Sequence, residues 1–294
     1  MRCSVLAFIL VAVTAPSLAF PLQGGLVART PNPPPPPPPP QGGNGGNAQT
    51  GSSGSANGGS VYQVATNPWG SIYNGYGSAQ GGDGGWTSTG NAVGGNGGSV
   101  WGPSGQGGNG GYAYTGNSGN ANGGSVTNIG GSITNGPYAS QGGNGGYSST
   151  GSAYGGNGGN AKREPNPPPP PPPPTGGNGG NAGTGSSGSA NGGSVTQQAS
   201  PWGYIYNGWG SAQGGDGGQT WTGNAYGGTG GSVWGPSGTG GNGGSAYTGN
   251  SGNANGGSVT NTGGSIYNEP YASQGGNGGW TSTGSAVGGN GGNA

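Results

Sequence analysis

Cysteine, histidine, leucine, phenylalanine and methionine are all absent after Arg29, and only 3% of the 294 residues are charged. Zinc-type metal sites need His or Cys ligands, so the chain beyond Arg29 cannot hold one. Ser and Thr are plentiful but have no histidine to activate them as nucleophiles. The four acidic residues are Asp83, Glu164, Asp216 and Glu269. They are too sparse for a paired-carboxylate site. We therefore expect no enzymatic activity and no cofactor.

Positive charge is just as scarce. Four basic residues balance the four acidic ones, and Lys162 is the only lysine. Binding to nucleic acid needs clustered Lys and Arg opposite the phosphates, and neither copy of the repeat described below contains such a cluster. We expect no nucleic-acid partner.

The only long apolar run lies at the start of the chain. Arg2 precedes the apolar residues 5–13, and small residues end the segment at Ala19. This pattern is typical of a secretory signal peptide over residues 1–19, with cleavage after Ala19 and a short pro-segment over 20–29. The run is shorter than the roughly 20 residues that cross a bilayer, so we expect no membrane span. A secreted chain without cysteine beyond its leader uses no disulfides.

Glycine is the dominant residue, with 86 of 294 positions. Ordering glycine costs more conformational entropy than ordering any other residue, and so little aliphatic surface remains that burial cannot offset this cost. The composition therefore predicts a mostly disordered, low-complexity chain with polyproline II spacers and no helix beyond the signal peptide. If the repeats do order, we expect a β-solenoid-like array of short strands or polyglycine II rods.

The chain is a tandem repeat. Copy 1 (30–161) and copy 2 (164–294) each begin with a run of eight prolines (33–40 and 167–174), and both end in the same seven residues. Each copy is itself doubled, which gives four Gly-rich units. The units span residues 41–106, 107–161, 175–239 and 240–294. We interpret the proline runs as semi-rigid spacers.

A dibasic pair, Lys162-Arg163, separates the two copies. A signal peptide, long near-identical repeats and a dibasic boundary together resemble fungal repetitive secreted proteins that kexin-type proteases process. The resemblance implies cleavage after Arg163, with a further cut after Arg29, and products that act as wall or surface-active material. Pheromone-type products are shorter than these copies of about 130 residues, so the structural branch is favoured. The composition also resembles that of glycine-rich cell-wall proteins.

Aromatic side chains are the remaining candidates for specific contacts, since they can pack with one another or stack on sugar rings. The candidate contact residues are Trp69, Trp86, Trp101, Trp202, Trp209, Trp221, Trp234 and Trp280. With net charge zero, nothing repels one chain from another. The sequence thus predicts a secreted structural protein of a cell wall or extracellular matrix that self-associates, with cell-wall polysaccharide as a further candidate partner. Two alternatives stay open: an ice- or carbohydrate-binding array, and a precursor of secreted signalling or host-acting peptides.

Overall fold

The computed structural model describes residues 37–163 and 172–294. The prediction of a mostly disordered chain is wrong. The described part contains 23 short strands, all paired in parallel, and no helix. The predicted signal peptide, the pro-segment and part of each proline run lie outside the described residues.

Six sheets run through the array, and each takes its strands from successive turns of the chain. The first consists of β1 (Ala48–Gln49), β7 (Ala113–Tyr114), β13 (Ala182–Gly183) and β19 (Ala246–Tyr247). The second consists of β2 (Val61–Val64), β8 (Val126–Gly130), β14 (Val195–Ala199) and β20 (Val259–Thr262). The third consists of β3 (Ser71–Asn74), β9 (Ser132–Asn135), β15 (Tyr204–Asn207) and β21 (Ser265–Asn268).

The other three sheets follow the same rule. The fourth consists of β4 (Trp86–Ser88), β10 (Tyr147–Ser149), β16 (Gln219–Trp221) and β22 (Trp280–Ser282). The fifth consists of β5 (Ala92–Val93), β11 (Ala153–Tyr154), β17 (Ala225–Tyr226) and β23 (Ala286–Val287). The sixth has three strands, β6 (Val100–Trp101), β12 (Ala161–Lys162) and β18 (Val233–Trp234). Such stacking of parallel strands is a β-solenoid-like architecture.

Each sequence unit forms one coil of this array. Parallel bridges join Gln41, Gln106, Thr175 and Thr239, and these residues mark the starts of coils 1 to 4. The described coils are therefore coil 1 (41–105), coil 2 (106–163 and 172–174), coil 3 (175–238) and coil 4 (239–294). The last proline of each run joins the array, because the carbonyls of Pro40 and Pro174 accept the amides of Gln106 and Thr239 at 3.1 Å.

Within a coil, two glycine-rich legs run antiparallel to each other. In coil 1 the first leg spans 42–60 and the second spans 81–98. The amides of Gly82, Gly85, Gly95 and Gly98 donate to carbonyls of Gly59, Ala56, Gly46 and Gly43 on the first leg. Paired donors lie three residues apart, which is the period of an extended three-residue helix. A turn end containing the second and third sheets connects the two legs.

Each of the three backbone amides in a Gly-Gly-X triplet donates a hydrogen bond to a different part of the array. In coil 2, Gly107 donates to a carbonyl of coil 3, at Thr175, at 2.9 Å. Gly108 donates across the legs to the Gly98 carbonyl at 2.8 Å. Asn109 donates to the side-chain Oδ1 of Asn44 in coil 1 at 2.9 Å. The glycine-rich legs therefore leave few buried amides unpaired, as a folded backbone requires.

Glycine is required at two of the three positions because backbones approach so closely. A Cβ on Gly107 would lie 1.9 Å from the carbonyl oxygen of Gly159 on the opposite leg. A Cβ on Gly108 would lie 2.0 Å from the carbonyl oxygen of Gly43 in the preceding coil. The third residue points outward, where a side chain has room. Because glycine has no side chain, the backbones can pack directly against one another. An estimate based on apolar burial alone does not include this packing.

The turn end holds most of the larger apolar side chains in the interior. Ile133 and Ile205 are fully buried in one column, and Val126 and Val195 are fully buried in another. Between the legs, the interior is a column of buried alanines from Ala92 to Ala225. The apolar core is therefore narrow and repeats once per coil.

A ladder of asparagines crosses the same turn end. Asn74 Nδ2 donates to Asn135 Oδ1 at 2.8 Å, Asn135 donates to Asn207 at 2.7 Å, and Asn207 donates to Asn268 at 2.8 Å. Asn135 and Asn207 are fully buried. Because a misplaced amide here would lose a buried partner, the ladder fixes the register between coils.

A second column of amides is less well satisfied. Gln63, Asn128, Gln197 and Asn261 share one register position in the second sheet. Asn128 Nδ2 donates to Ser140 Oγ at 2.9 Å, but its Oδ1 and both amide atoms of Gln197 have no protein partner among the described residues. These groups reduce the stability that the array gains from its hydrogen bonds.

Replacing a glycine by alanine should affect stability differently in the interior of the array and at its edge. In Gly180→Ala the new Cβ would lie 2.0 Å from the Gly111 carbonyl oxygen, whereas the equivalent Gly46 of coil 1 has open space. We expect Gly180→Ala to lower the free energy of unfolding by about 1–3 kcal/mol or more. Gly46→Ala should be neutral or stabilise by up to about 1 kcal/mol. Denaturant unfolding followed by circular dichroism measures both, and equal effects would contradict the packing described here.

Candidate interaction surfaces

The outer face of the second leg carries a group of aromatic rings from all four coils. In the fourth sheet, Trp86, Tyr147, Gln219 and Trp280 share one register position. Trp221 follows two residues after Gln219, so it points to the same face. Ring centroids lie 6.2 Å apart for Trp86 and Tyr147 and 6.4 Å apart for Tyr147 and Trp221. Three of the predicted tryptophans are thus brought together on one sheet, which we call the aromatic face.

The sixth sheet brings together two more tryptophans. Trp101, Lys162 and Trp234 are register partners, and all three side chains point outward. Lys162 Nζ lies 4.8 Å from the centroid of the Trp101 ring, within the range of a cation–π interaction. The junction lysine is therefore part of the folded array.

An aromatic ladder links all four coils just after the third sheet. It consists of Tyr76, Tyr138, Trp209 and Tyr271, with centroid separations of 5.7, 4.8 and 5.9 Å. All three contacts are edge-on, a geometry that aromatic quadrupoles favour. Tyr138 and Tyr271 occupy left-handed backbone conformations with φ of 54° and 61°.

Trp69 and Trp202 are placed differently. They lie in longer loops between the second and third sheets of coils 1 and 3, and Trp202 is 87% exposed. The two loops belong to coils that are separated by coil 2. The structure does not join these two tryptophans to any aromatic cluster among the described residues.

Tyrosines extend the aromatic surfaces beyond the predicted tryptophans. Tyr154 stacks on Tyr226 at 5.1 Å, and Tyr206 stacks on Tyr267 at 5.4 Å. The hydroxyl of Tyr206 donates to Glu269, and this bond raises the pKa of the Tyr206 phenol. Glu269 also accepts the Trp209 amide at 3.0 Å, which fixes coil 4 to coil 3 beside the aromatic ladder. The recurrence of Tyr at matching unit positions was the available sequence signal.

The predicted processing pair is held in the array by backbone hydrogen bonds. The Lys162 carbonyl accepts the Gly102 amide at 3.0 Å, and the Arg163 amide donates to the Trp234 carbonyl at 2.9 Å. Arg163 Nη1 donates to Ser237 Oγ at 2.7 Å. A protease must release this segment or act before coil 3 stacks on coil 2. Cleavage remains a prediction here, and the other two predicted processing residues, Ala19 and Arg29, lie outside the described residues.

No other described residue covers either end of the array. Over the described ranges, no acceptor faces the amides of Gly240 and Gly243 in coil 4, whose counterparts in coil 2 donate to coil 3. The Ile column also ends uncovered, because Ile266 is 45% exposed whereas Ile205 is fully buried. Unpaired sheet edges of this kind are ready templates for a further chain.

Two further features of the described residues bear on function. They contain no group of three or more His, Cys, Asp or Glu placed to hold a metal ion. No helix among them is long and apolar enough to cross a membrane. Comparison with protein-family models, curated proteins and solved structures finds no match for this chain.

Cleavage at the junction should not separate the two copies. Coils 2 and 3 are joined by hydrogen bonds and buried columns that do not depend on the Arg163–Glu164 peptide bond. We expect cut material to give two species of about 130 residues by denaturing mass spectrometry, whereas the two halves should co-elute under native conditions. Lys162→Gln/Arg163→Gln should give only the intact chain. Two separately eluting halves would contradict this prediction.

Proposed function

We propose that the chain is a secreted, non-enzymatic structural protein of a cell wall or extracellular matrix, and that it acts by self-association. The observation that carries the proposal is the contrast between the interior and the ends of the array. Every interface between coils is rich in backbone hydrogen bonds, whereas the outer edges of coils 1 and 4 have no cover among the described residues. Solenoid proteins that remain single molecules end in atypical capping repeats.

The surface supports the same function. The formal net charge is zero, so long-range repulsion between chains is absent. Aromatic rings are exposed on several sides of the array, including Trp86, Trp101, Trp234 and Trp280. Lateral contacts between arrays can use these rings in addition to the open edges. Cleavage by a kexin-type protease would supply units that each retain both kinds of edge.

Association should rise with protein concentration and respond little to salt, because few charges are available to be screened. Sedimentation velocity of the secreted protein over a hundredfold concentration range, at low and high ionic strength, measures this. Fractionation of the producing cells tests location, and we expect the protein in the wall or matrix fraction. A monomer at every concentration, found only in the medium, would overturn the proposal.

A second function is favoured by the aromatic face. Trp86, Tyr147, Trp221 and Trp280 together offer a row of rings on which a polysaccharide can stack. The ice-binding alternative has less support. The outward asparagines that it would use already accept amides from the next coil, as Asn109 does from Asn178 at 2.9 Å.

Polysaccharide contact can be tested with matched tryptophan variants. Removing Trp86 and Trp280 together should weaken pull-down by insoluble wall polysaccharide about tenfold, since each aromatic contact is worth about 0.5–1.5 kcal/mol. Trp69→Ala/Trp202→Ala removes two rings of equal kind from the loops and should leave binding unchanged. If both pairs behave alike, the aromatic face is not a glycan site.

A further inference from the structure

We propose that molecules of this protein add end to end, with coil 4 of one copy stacking on coil 1 of the next in the register that joins coils 2 and 3. This deepens the proposed self-association and rests on it. The partner is a second copy of the same chain. The result is a polar filament in which the solenoid continues across each junction.

Hydrogen-bond polarity is the first argument. Between consecutive coils, the first glycine of a triplet donates forward, as Gly110 does to the Asn178 carbonyl at 2.8 Å. The outward asparagine accepts from the following coil, as Asn178 does from the Asn242 amide at 2.9 Å. Among the described residues, coil 4 therefore ends with donors and asparagine acceptors that have no partner. The carbonyls and amides at the coil 1 edge, such as those of Asn44, likewise have no described partner, and they match the groups of coil 4.

Internal symmetry is the second argument. Coil 2 is the last coil of copy 1, and coil 3 is the first coil of copy 2. The interface between coils 2 and 3 therefore shows how the last coil of one copy stacks on the first coil of another. Coil 4 closes copy 2, and coil 1 opens copy 1. The same contacts are available there: the Asn268 amide can donate to Asn74, and Tyr271 can meet Tyr76 as Tyr138 meets Trp209. The contact would also bury Ile266.

Steric space is the third argument. On the first leg of coil 1, five glycines have no described atom within 4 Å of the place where a Cβ would lie: Gly43, Gly46, Gly51, Gly54 and Gly59. In coil 4, the nearest atoms to a Cβ on Gly275, Gly278, Gly288 or Gly291 lie 3.4–4.0 Å away. None of these nine has a left-handed φ. Alanine there would stabilise an isolated chain by restricting its unfolded state, so only a further coil gives these glycines a packing role.

The geometry of the contact predicts an open filament and not a closed ring or a two-fold dimer. The two edges differ, since one offers carbonyls where the other offers amides, so the interface is heterologous. Successive strands in each sheet are parallel and in register, and continuing that operation adds coils along one direction. Each added molecule leaves one edge of each kind free.

Blocking one edge at a time tests this polarity. Gly43→Val/Gly46→Val fills the coil 1 edge, and Gly288→Val/Gly291→Val fills the coil 4 edge. Neither pair meets an atom closer than 3.6 Å at Cβ within the same molecule, so both should keep the wild-type circular dichroism spectrum and a cooperative unfolding transition. Alanine versions of both pairs provide a second set should valine disturb the fold. Sedimentation velocity and electron microscopy compare each variant alone with an equimolar mixture.

We expect wild type to form filaments and each blocked variant alone to be monomeric. The mixture should form discrete 1:1 dimers, because the free coil 4 edge of one variant meets the free coil 1 edge of the other. Blocked variants that associate as wild type does would overturn end-to-end stacking while leaving self-association intact, and so would a mixture that stays monomeric. Wild type that fails to associate would overturn the proposed function itself.

Discussion

Direct contact between backbones is the constraint on which this structure depends. The legs and the successive coils pack so closely that a Cβ at Gly107 would lie 1.9 Å from a carbonyl oxygen of the opposite leg, and a Cβ at Gly108 would lie 2.0 Å from one of the preceding coil. Glycine therefore occupies two positions in such a triplet, and only the third can carry a side chain, which must point outward. The spacing of the legs, the three-residue period and the outward asparagines all follow from this single requirement.

This packing moves the source of stability from apolar burial to hydrogen bonding. Where the legs are closest, glycine amides bond to the opposite leg and to the next coil, and outward side chains such as Asn44 accept the remaining amide. Where they separate, alanines and hydroxyl residues fill the space, as when Thr87 Oγ1 donates to the Gly119 carbonyl at 2.8 Å. Val and Ile columns add a conventional core at the turn end.

Part of this could be predicted from the sequence. The four units and the option of a β-solenoid-like array of short strands could be read from the sequence, because repetition and β-propensity are local properties. The prediction of disorder was wrong because it compared only the burial of apolar side chains with the entropy cost of ordering the backbone. It left out the hydrogen bonds of the glycine amides. The acceptors of these amides lie on the opposite leg or in the next coil, far away along the chain, as Thr175 lies from Gly107. The aromatic ladder was missed because Tyr138 lies one position after the counterpart of Tyr76, so no simple alignment of units pairs them. Trp69 and Trp202 match in sequence yet lie apart, since a coil intervenes.

The rule that builds the interior also applies at the ends. A coil folds by presenting one edge of donors and acceptors to the coil before it and a complementary edge to the coil after it, and nothing in that arrangement distinguishes a covalently linked neighbour from a separate one. The interface between coils 2 and 3 joins copies that cleavage at Arg163 would make separate chains. In that case the precursor would be a linked pair of two-coil subunits, and the cut would change connectivity while leaving in place the stacking interface that holds the array together.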